Sequence, residues 1–203
     1  MYHFGQQLRL MPKPKLFIVE GCDATGKSTL AKHLAQKLGA AYFHSSAKGA
    51  LKVAQKDYLF NILDSVEQTM YGSNLPVVLD RHYLSEMCYA PVMRPQGQPI
   101  LAGEIVSINK SLVPTSEMFA RIQQLNPIYI VCLSDKALEN HRENVDKDHP
   151  YSDAQYVAIY NNYIKVVRQF VNDSIPVHVY DIAQWDKNVE GFIEKLLHET
   201  SQA

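Results

Sequence analysis

The sequence lacks any apolar run near the roughly 20 residues a membrane span requires, so nothing in it reads as a transmembrane segment. Residues 1–14 hold no apolar block of the signal-peptide kind and read as a polar N-terminal extension closed by Pro12 and Pro14. Cysteine is scarce. Cys22, Cys88 and Cys132 are odd in number and lack a metal-type C-x-x-C spacing, which fits a reducing, cytoplasmic setting. Charge of one sign is also missing: 20 Lys and Arg against 21 Asp and Glu leave a net charge of -1. No overall basic field is therefore available to recruit nucleic acid or an anionic membrane. Internal repeats and low-complexity linkers are absent. At 203 residues, 46% hydrophobic and 20% charged, the chain suits one domain with a sizeable core, or one domain with a small lid.

What is present begins at Lys15. A short apolar run, Leu16 to Val19, has the character of a buried parallel strand. Gly21-Cys22-Asp23-Ala24-Thr25-Gly26-Lys27-Ser28 follows and fits G-x-x-x-x-G-K-[ST] at every fixed position. Leu30, Leu34 and Leu38 then lie on one face of a helix. Gly21 and Gly26 permit backbone angles that let successive N–H groups turn inward around phosphate oxygens. The loop ends at a helix N-terminus, which favours an anion. Lys27 brings a point charge to the β- and γ-phosphates, and the Ser28 hydroxyl suits Mg2+. Gly21, Asp23, Ala24, Thr25, Gly26, Lys27, Ser28 and Thr29 are thus the expected nucleotide-binding loop, with a nucleoside triphosphate or something shaped like one, and Mg2+, as the implied ligands.

Further along, Ala40 to His44 reads as a second strand after a Gly39 cap, and a helix is expected from Ala50 to about Tyr71, stopped by Gly72-Ser73-Asn74. Leu75 to Arg81 is a buried strand ending in an acid and a base. Tyr83 to Tyr89 is expected to be helical, then to give way to an irregular loop holding Pro91, Pro95, Gly97 and Pro99. Helices are expected over 102–112 and 115–124, a strand at Ile128 to Leu133, and a helix from Ser134 or Asp135 to about Glu143. A charged stretch leads to a long helix capped by Ser152 or Asp153, a last strand at Val177 to Tyr180, the turn Asp181-Ile-Ala, and a closing helix from Val189 to His198. Apolar strands alternating with helices predict an α/β fold: a parallel sheet of about five strands covered on both faces.

Ligands in such sheets sit beyond the carboxyl ends of the strands, so Asp80-Arg81 should face the phosphate loop. An acid there can hold Mg2+ through water, and an adjacent Arg can fork onto a phosphate. Other candidates read as structural. His33, His44, His141, His149 and His178 show no ligand spacing and read as surface or strand-facing residues. Tyr156, Tyr160 and Tyr163 have helical spacing and read as core. Cys22, inside the loop, is a candidate reactive thiol, and Trp185 is a packing residue or a wall beside the nucleotide.

Glu20-Gly-Cys-Asp-Ala-Thr-Gly-Lys-Ser-Thr29 resembles the E-G-x-D-x-x-G-K-[ST]-[ST] loop of thymidylate kinases, and Asp80-Arg81-His82-Tyr83-Leu84-Ser85-Glu86-Met87-Cys88-Tyr89 is similar to that family's D-R-Y-x-x-S-x-x-A-Y segment. The resemblance runs more weakly to Asp181-Ile-Ala. It implies a single P-loop kinase domain over 15–203, a three-layer α/β/α sandwich with a short lid at about 142–152, acting as an ATP-dependent deoxynucleoside monophosphate kinase. Lys27, Asp80, Arg81 and Arg142 would be catalytic, with Ser28 and Asp80 holding the metal. Asp23 would accept a hydrogen bond from the acceptor 3′-hydroxyl, and Arg81 would grip the acceptor phosphate. Ser85 and Tyr89, with Phe43 and Lys48, would line the acceptor side. Arg142, Ile182 and Ala183 would meet ATP. Nucleotides are the implied partners, and a homodimer is the implied assembly.

The chain departs from the pattern in several places. Ala90 replaces the usual Gln, His82 the usual Tyr, and Phe43-His44-Ser45-Ser46-Ala47-Lys48 stands where an F-P-x-R element belongs, with Lys48 as its only cation. Ala24 removes a loop Arg that some members carry. These positions leave the acceptor base open. A deoxynucleoside kinase is the competing enzyme, although Asp80-Arg81-His82 stands where those carry E-R-S and no acid follows Phe43. A nucleotide-binding module without turnover is the third reading. A GTPase is disfavoured because Asn109-Lys110-Ser111-Leu112 lacks the Asp of N-K-x-D.

Overall fold

Every residue of β1 (Leu16–Gly21) is buried, which a strand achieves only at the centre of a sheet covered on both faces. The computed structural model describes residues 15–45, 55–93, 115–144, 152–185 and 188–201. The expected extension 1–14, Lys48, the expected helix over 102–112, and the expected lid from 145 to 151 lie outside these residues. In β1 the pleat divides the core. Leu16 and Ile18 join one buried cluster and Phe17 and Val19 another, the period-2 alternation of a strand between two helical layers.

After β1 come α1 (Lys27–Leu38), β2 (Ala41–His44), α2 (Gln55–Glu67), β3 (Val77–Asp80), α3 (Tyr83–Met93), α4 (Thr115–Gln124) and β4 (Ile128–Leu133). Then follow α5 (Ala137–Asn144), α6 (Asp153–Asn172), β5 (Val177–Asp181), the short α7 (Ile182–Trp185) and α8 (Val189–Ser201). The five strands are all parallel in the order β2-β3-β1-β4-β5. Helices α2, α3, α4 and α6 fill one face, with Leu59, Leu63, Tyr83, Met118, Ile122 and Phe170 at its core. On the other face, α1 and α8 bring Leu30, Leu34, Phe192, Ile193 and Leu196. This is the three-layer arrangement expected. It sets Gly21, His44, Asp80, Leu133 and Asp181 along one edge of the sheet.

Local rules explain most boundaries. Gly39 ends α1 in the left-handed region, with its N–H and that of Ala40 closing back on Gln36 and Ala35 carbonyls. Ser152 and Gln155 form a reciprocal capping box on α6. The strand expected at 75–81 is shorter: Leu75 is exposed, and Arg81 leaves the strand with φ 68°. Helix α2 runs into a π-helical turn, Gln68–Gly72, before it stops. Helix α5 starts at Ala137, because Ser134 spends its carbonyl and hydroxyl on the turn before it. Asp181 completes β5, and α7 replaces the turn expected after it, with Ala183 N–H donating to the Asp181 carboxylate.

The clearest departure is α3, expected to end at Tyr89. It continues to Met93 with Pro91 inside its last turn. Cys88, Tyr89, Val92 and Met93 pack with Tyr156, Ile159 and Tyr163, and Asn162 Nδ2 donates to the Cys88 carbonyl at 3.0 Å. Packing outweighs the bond to the Met87 carbonyl that proline removes.

A Cβ on Gly21, whose φ is 146°, would stand 2.5 Å from the Cys132 carbonyl oxygen. Gly21→Ala should therefore lower unfolding free energy in urea by about 3 kcal/mol, and a loss under about 1 kcal/mol would show that the loop has room.

Candidate active site

The phosphate loop is braced from within. Thr25, fully buried, donates its hydroxyl to the Cys22 carbonyl at 2.7 Å. Gly21, Ala24 and Gly26 all carry positive φ, so the loop's turns use an alanine where sequence pattern pointed only to glycines. Tyr156 of α6 donates to the Asp23 carbonyl at 2.8 Å, and the His141 ring stacks on Tyr156 at 4.2 Å. Tyr156 is core, as expected, but it also tethers the loop. His141 is buried rather than a surface residue. Cys22 is fully buried as well, and burial pushes its thiol up to about 12, so the reactive-thiol expectation fails.

Lys27 opens α1 and folds over the loop, its Nζ 3.2 Å from the Cys22 carbonyl and 3.4 Å from Asp23 Oδ1. Burial and the nearby Arg81 lower its pKa, against the pull of Asp23. Arg81 arrives from the end of β3 and pairs with the same Asp23 oxygen. Its other donors reach Ser85 Oγ at 3.4 Å and Tyr89 Oη at 3.3 Å, and its guanidinium carbon lies 5.1 Å from the centre of the Tyr89 ring. Two cations from distant parts of the chain thus share one carboxylate.

Asp80 is fully buried. Its Oδ2 accepts from Tyr42 Oη at 2.8 Å and lies 3.0 Å from His44 Nδ1, while Oδ1 has no partner. An orphaned carboxylate oxygen on a residue whose charge is felt by Lys27 is a hard oxygen donor, the kind Mg2+ takes alongside water and phosphate. No cluster of three or more His, Cys, Asp or Glu suited to a metal occurs among the described residues.

Other expected residues fall out differently. Ser85 and Tyr89 both contact Arg81. Ile182 lies against the loop, its Cδ1 2.9 Å from where a Gly26 Cβ would stand, with Ala183 next in α7. Thr29 is exposed on α1, and Phe43 packs against the α2–α3 core. Arg142 is exposed, and its Nε and Nη2 bond Asp153 Oδ2 at 2.8 and 2.6 Å, so the structure does not bring it to the loop. Trp185 makes an edge contact with Phe192 and is a packing residue.

Sequence reasoning missed three features. His44 and Tyr42 flank Asp80, and period-2 alternation in β2 was the available signal. His82 is buried, its Nε2 3.1 Å from the Leu59 carbonyl, and burial pushes it down to about 4. Glu20 is fully buried: Oε1 accepts from His82 N–H at 2.7 Å and Ser85 N–H at 3.4 Å, Oε2 from Ser85 Oγ at 2.6 Å and Tyr163 Oη at 3.2 Å. Burial pushes it up to about 7 against the hydrogen bonds from Ser85 and His82. An acid inside an apolar strand run, at the first position of the E-G-x-D-x-x-G-K-[ST]-[ST] pattern, was its mark, and no role was read from it.

No protein-family model matches the chain, and no curated protein matches it by sequence. Solved structures do. The YorR protein from Bacillus subtilis, in complex with phosphorylated GDP, superposes with a TM-score of 0.62 at 17% identity, covering 92% of this chain and 96% of that one. Thymidylate kinase from Candida albicans gives 0.56 at 15% identity, covering 94% and 93%. Deoxyadenosine kinase from M. mycoides, with products dCMP and dCDP bound, gives 0.55 at 17% identity, covering 93% and 100%. The fold is the P-loop α/β fold that these proteins share. No helix among the described residues is long and apolar enough to cross a membrane.

Because Glu20 binds its proton at about 7 when folded against its ordinary 4.5, the folded state holds an extra proton between those values. Its contribution to stability is complete below 4.5 and lost as pH rises through 7. His82 runs oppositely, gaining stability as pH rises from about 4 to 6.5. Urea unfolding of the wild type and Glu20→Gln at pH 5 and 8 separates the two. The variant should gain about 3 kcal/mol on the wild type over that interval, and an unchanged difference would place Glu20's proton affinity near the ordinary value.

Proposed function

We propose that the chain is a nucleoside monophosphate kinase that transfers the ATP γ-phosphate to a deoxynucleoside monophosphate, dTMP or a close relative, giving the diphosphate and ADP. The observation that carries this reading is the meeting of Arg81 and Lys27 on Asp23. A loop cation alone would suit any nucleotide binder. A second cation, delivered from β3 into the same crevice and already surrounded by Ser85 and Tyr89, suits a second phosphate-bearing substrate.

In this reading the loop N–H groups and Lys27 hold the β- and γ-phosphates, Ile182 and Ala183 flank the donor, and Arg81 holds the acceptor phosphate. An acceptor phosphate oxygen forms the new bond to the γ-phosphorus while the bond to the β-phosphate oxygen breaks and ADP leaves. Positioning and charge neutralisation do this work, with no covalent role for the protein. Ser28 and Asp80 would hold Mg2+, which supplies positive charge across the donor phosphates. Displaced from its two cations by phosphate, Asp23 is free to accept from the acceptor 3′-hydroxyl. Phe43 and Lys48 belong to the acceptor side and Arg142 to a lid at about 142–152. The kinase domain spans 15–203, and the active form is a cytoplasmic homodimer. The structural likeness extends to a deoxyadenosine kinase, so nucleoside acceptors are the second reading.

ADP release from Mg-ATP, measured across nucleoside monophosphates and the matching nucleosides, tests the class. Turnover should require a monophosphate; turnover with nucleosides alone would move the protein to the second reading. With the best acceptor, Arg81→Ala should cut kcat/KM at least a hundredfold, about 3 kcal/mol, while ATP affinity changes less than about threefold. Equal loss of ATP affinity would put Arg81 on the donor side.

A further inference from the structure

Arg81 is aimed by a turn that its own side chain does not hold. A φ of 68° is adopted by a bulky residue only where its surroundings enforce it. Two groups on the neighbouring strand β1 enforce it: the Val19 carbonyl accepts from the Arg81 N–H at 2.9 Å, and the Glu20 carboxylate holds the residues that follow. Through Oε1 it takes the His82 and Ser85 N–H groups at the start of α3, pinning the backbone that follows Arg81. Through Oε2 it takes the Ser85 hydroxyl at 2.6 Å, and that same Ser85 oxygen accepts from Arg81 Nη1 at 3.4 Å. Glu20 therefore acts on Arg81 along two paths, one through the backbone and one through Ser85. Its hydrogen bonds go to His82, Ser85 and Tyr163, and none goes to Lys27 or the phosphate loop.

Resting on the reading of Arg81 as the acceptor-phosphate grip, we propose that Glu20 is a positioning residue: it fixes the Arg81 guanidinium through Ser85 and the His82 amide, and so sets acceptor affinity without touching nucleotide. The His82 and Ser85 N–H groups can only donate, whereas the Ser85 and Tyr163 hydroxyls both donate to Oε2 only when Glu20 is ionised; a protonated carboxyl would turn one of them into its acceptor and break that arm. The titratable groups around it are Arg81 from the β3–α3 turn, Tyr83 and Cys88 of α3, Tyr129 and Cys132 of β4, and Tyr163 of α6. Burial pushes every one of those tyrosines and cysteines up, and Arg81 stays charged. Glu20, at about 7, is the member of this set that changes charge near neutral pH.

The test compares KM for the best monophosphate acceptor and for ATP in the wild type, Glu20→Gln, Ser85→Ala and the double variant, from pH 6 to 8.5. In the wild type the acceptor KM should fall as pH rises through about 7, and the Gln variant should lose that step. At pH 8 each single variant should raise the acceptor KM about tenfold, the loss of one charge-assisted hydrogen bond, and leave the ATP KM within about twofold. The double variant should be no worse than either single one, because both cut the same path. Equal weakening of both substrates, or an additive double variant, overturns the proposal. Ser85→Ala leaves Glu20 in place and carries the same comparison alone if the Gln variant does not fold. A readout without substrate separates this proposal from the reading it rests on. The 15N resonance of Arg81 Nε, assigned by its loss in Arg81→Lys, should be sharp at pH 8.5 in the wild type and broadened in Glu20→Gln. A sharp signal in the variant overturns positioning. The expected broadening, in a protein that turns over no monophosphate, keeps the positioning and removes the acceptor reading.

Discussion

The carboxylate of Asp23 sits between two cations supplied by different segments, the buried Lys27 from α1 and the partly buried Arg81 from the end of β3. Neither cation is cheap to bury. Burial works against the charged form of both, and the shared counter-ion is what makes the juxtaposition tolerable in the absence of phosphate. The surrounding architecture serves this cluster. Parallel strands bring Gly21 and Asp80 to one edge, Thr25 and Tyr156 hold the loop backbone, and Ser85 and Tyr89 fix the guanidinium. In the proposed reaction, an entering phosphate would replace the Asp23 carboxylate as the anion these two cations share.

The loop, the all-parallel sheet and the acid–base pair on β3 were legible because each rests on local chemistry. An apolar strand followed by G-x-x-x-x-G-K-S specifies its own conformation, and Gly39 and Ser152 announce their caps. What stayed hidden depended on distant partners. Pro91 reads as a breaker, and only the packing of Val92 and Met93 beside Tyr156 and Tyr163 keeps it helical. His44 reads as an edge residue until β2 is laid beside β3 in register, which sets it opposite Asp80. Arg142 matches its motif position, yet Asp153, eleven residues on, holds its guanidinium in this structure.

Glu20 shows how function and stability pull apart within one residue. The donors around it are arranged for a carboxylate, while its complete burial favours the neutral acid. Natural folds keep such conflicts where geometry matters more than stability. Here the conflict lies under the turn that aims Arg81, one residue before the phosphate loop begins. Buried His82, two residues beyond Asp80, bears the opposite proton imbalance, so the two offset one another across the mildly acidic range.

The strand order has a consequence for how the chain reaches this state. Ile18 at the centre of the sheet pairs with Leu79 on one side and Tyr129 on the other, so the middle strand is made long before either neighbour. Its backbone N–H and C=O groups on the β4 side stay unpaired until β4 has been made, and Gly21 has no Cys132 against it until then. Such a topology couples slow, non-local closure to exposure of an apolar strand. A nascent chain therefore carries an incomplete sheet, its central strand open along one side, until β4 has been made.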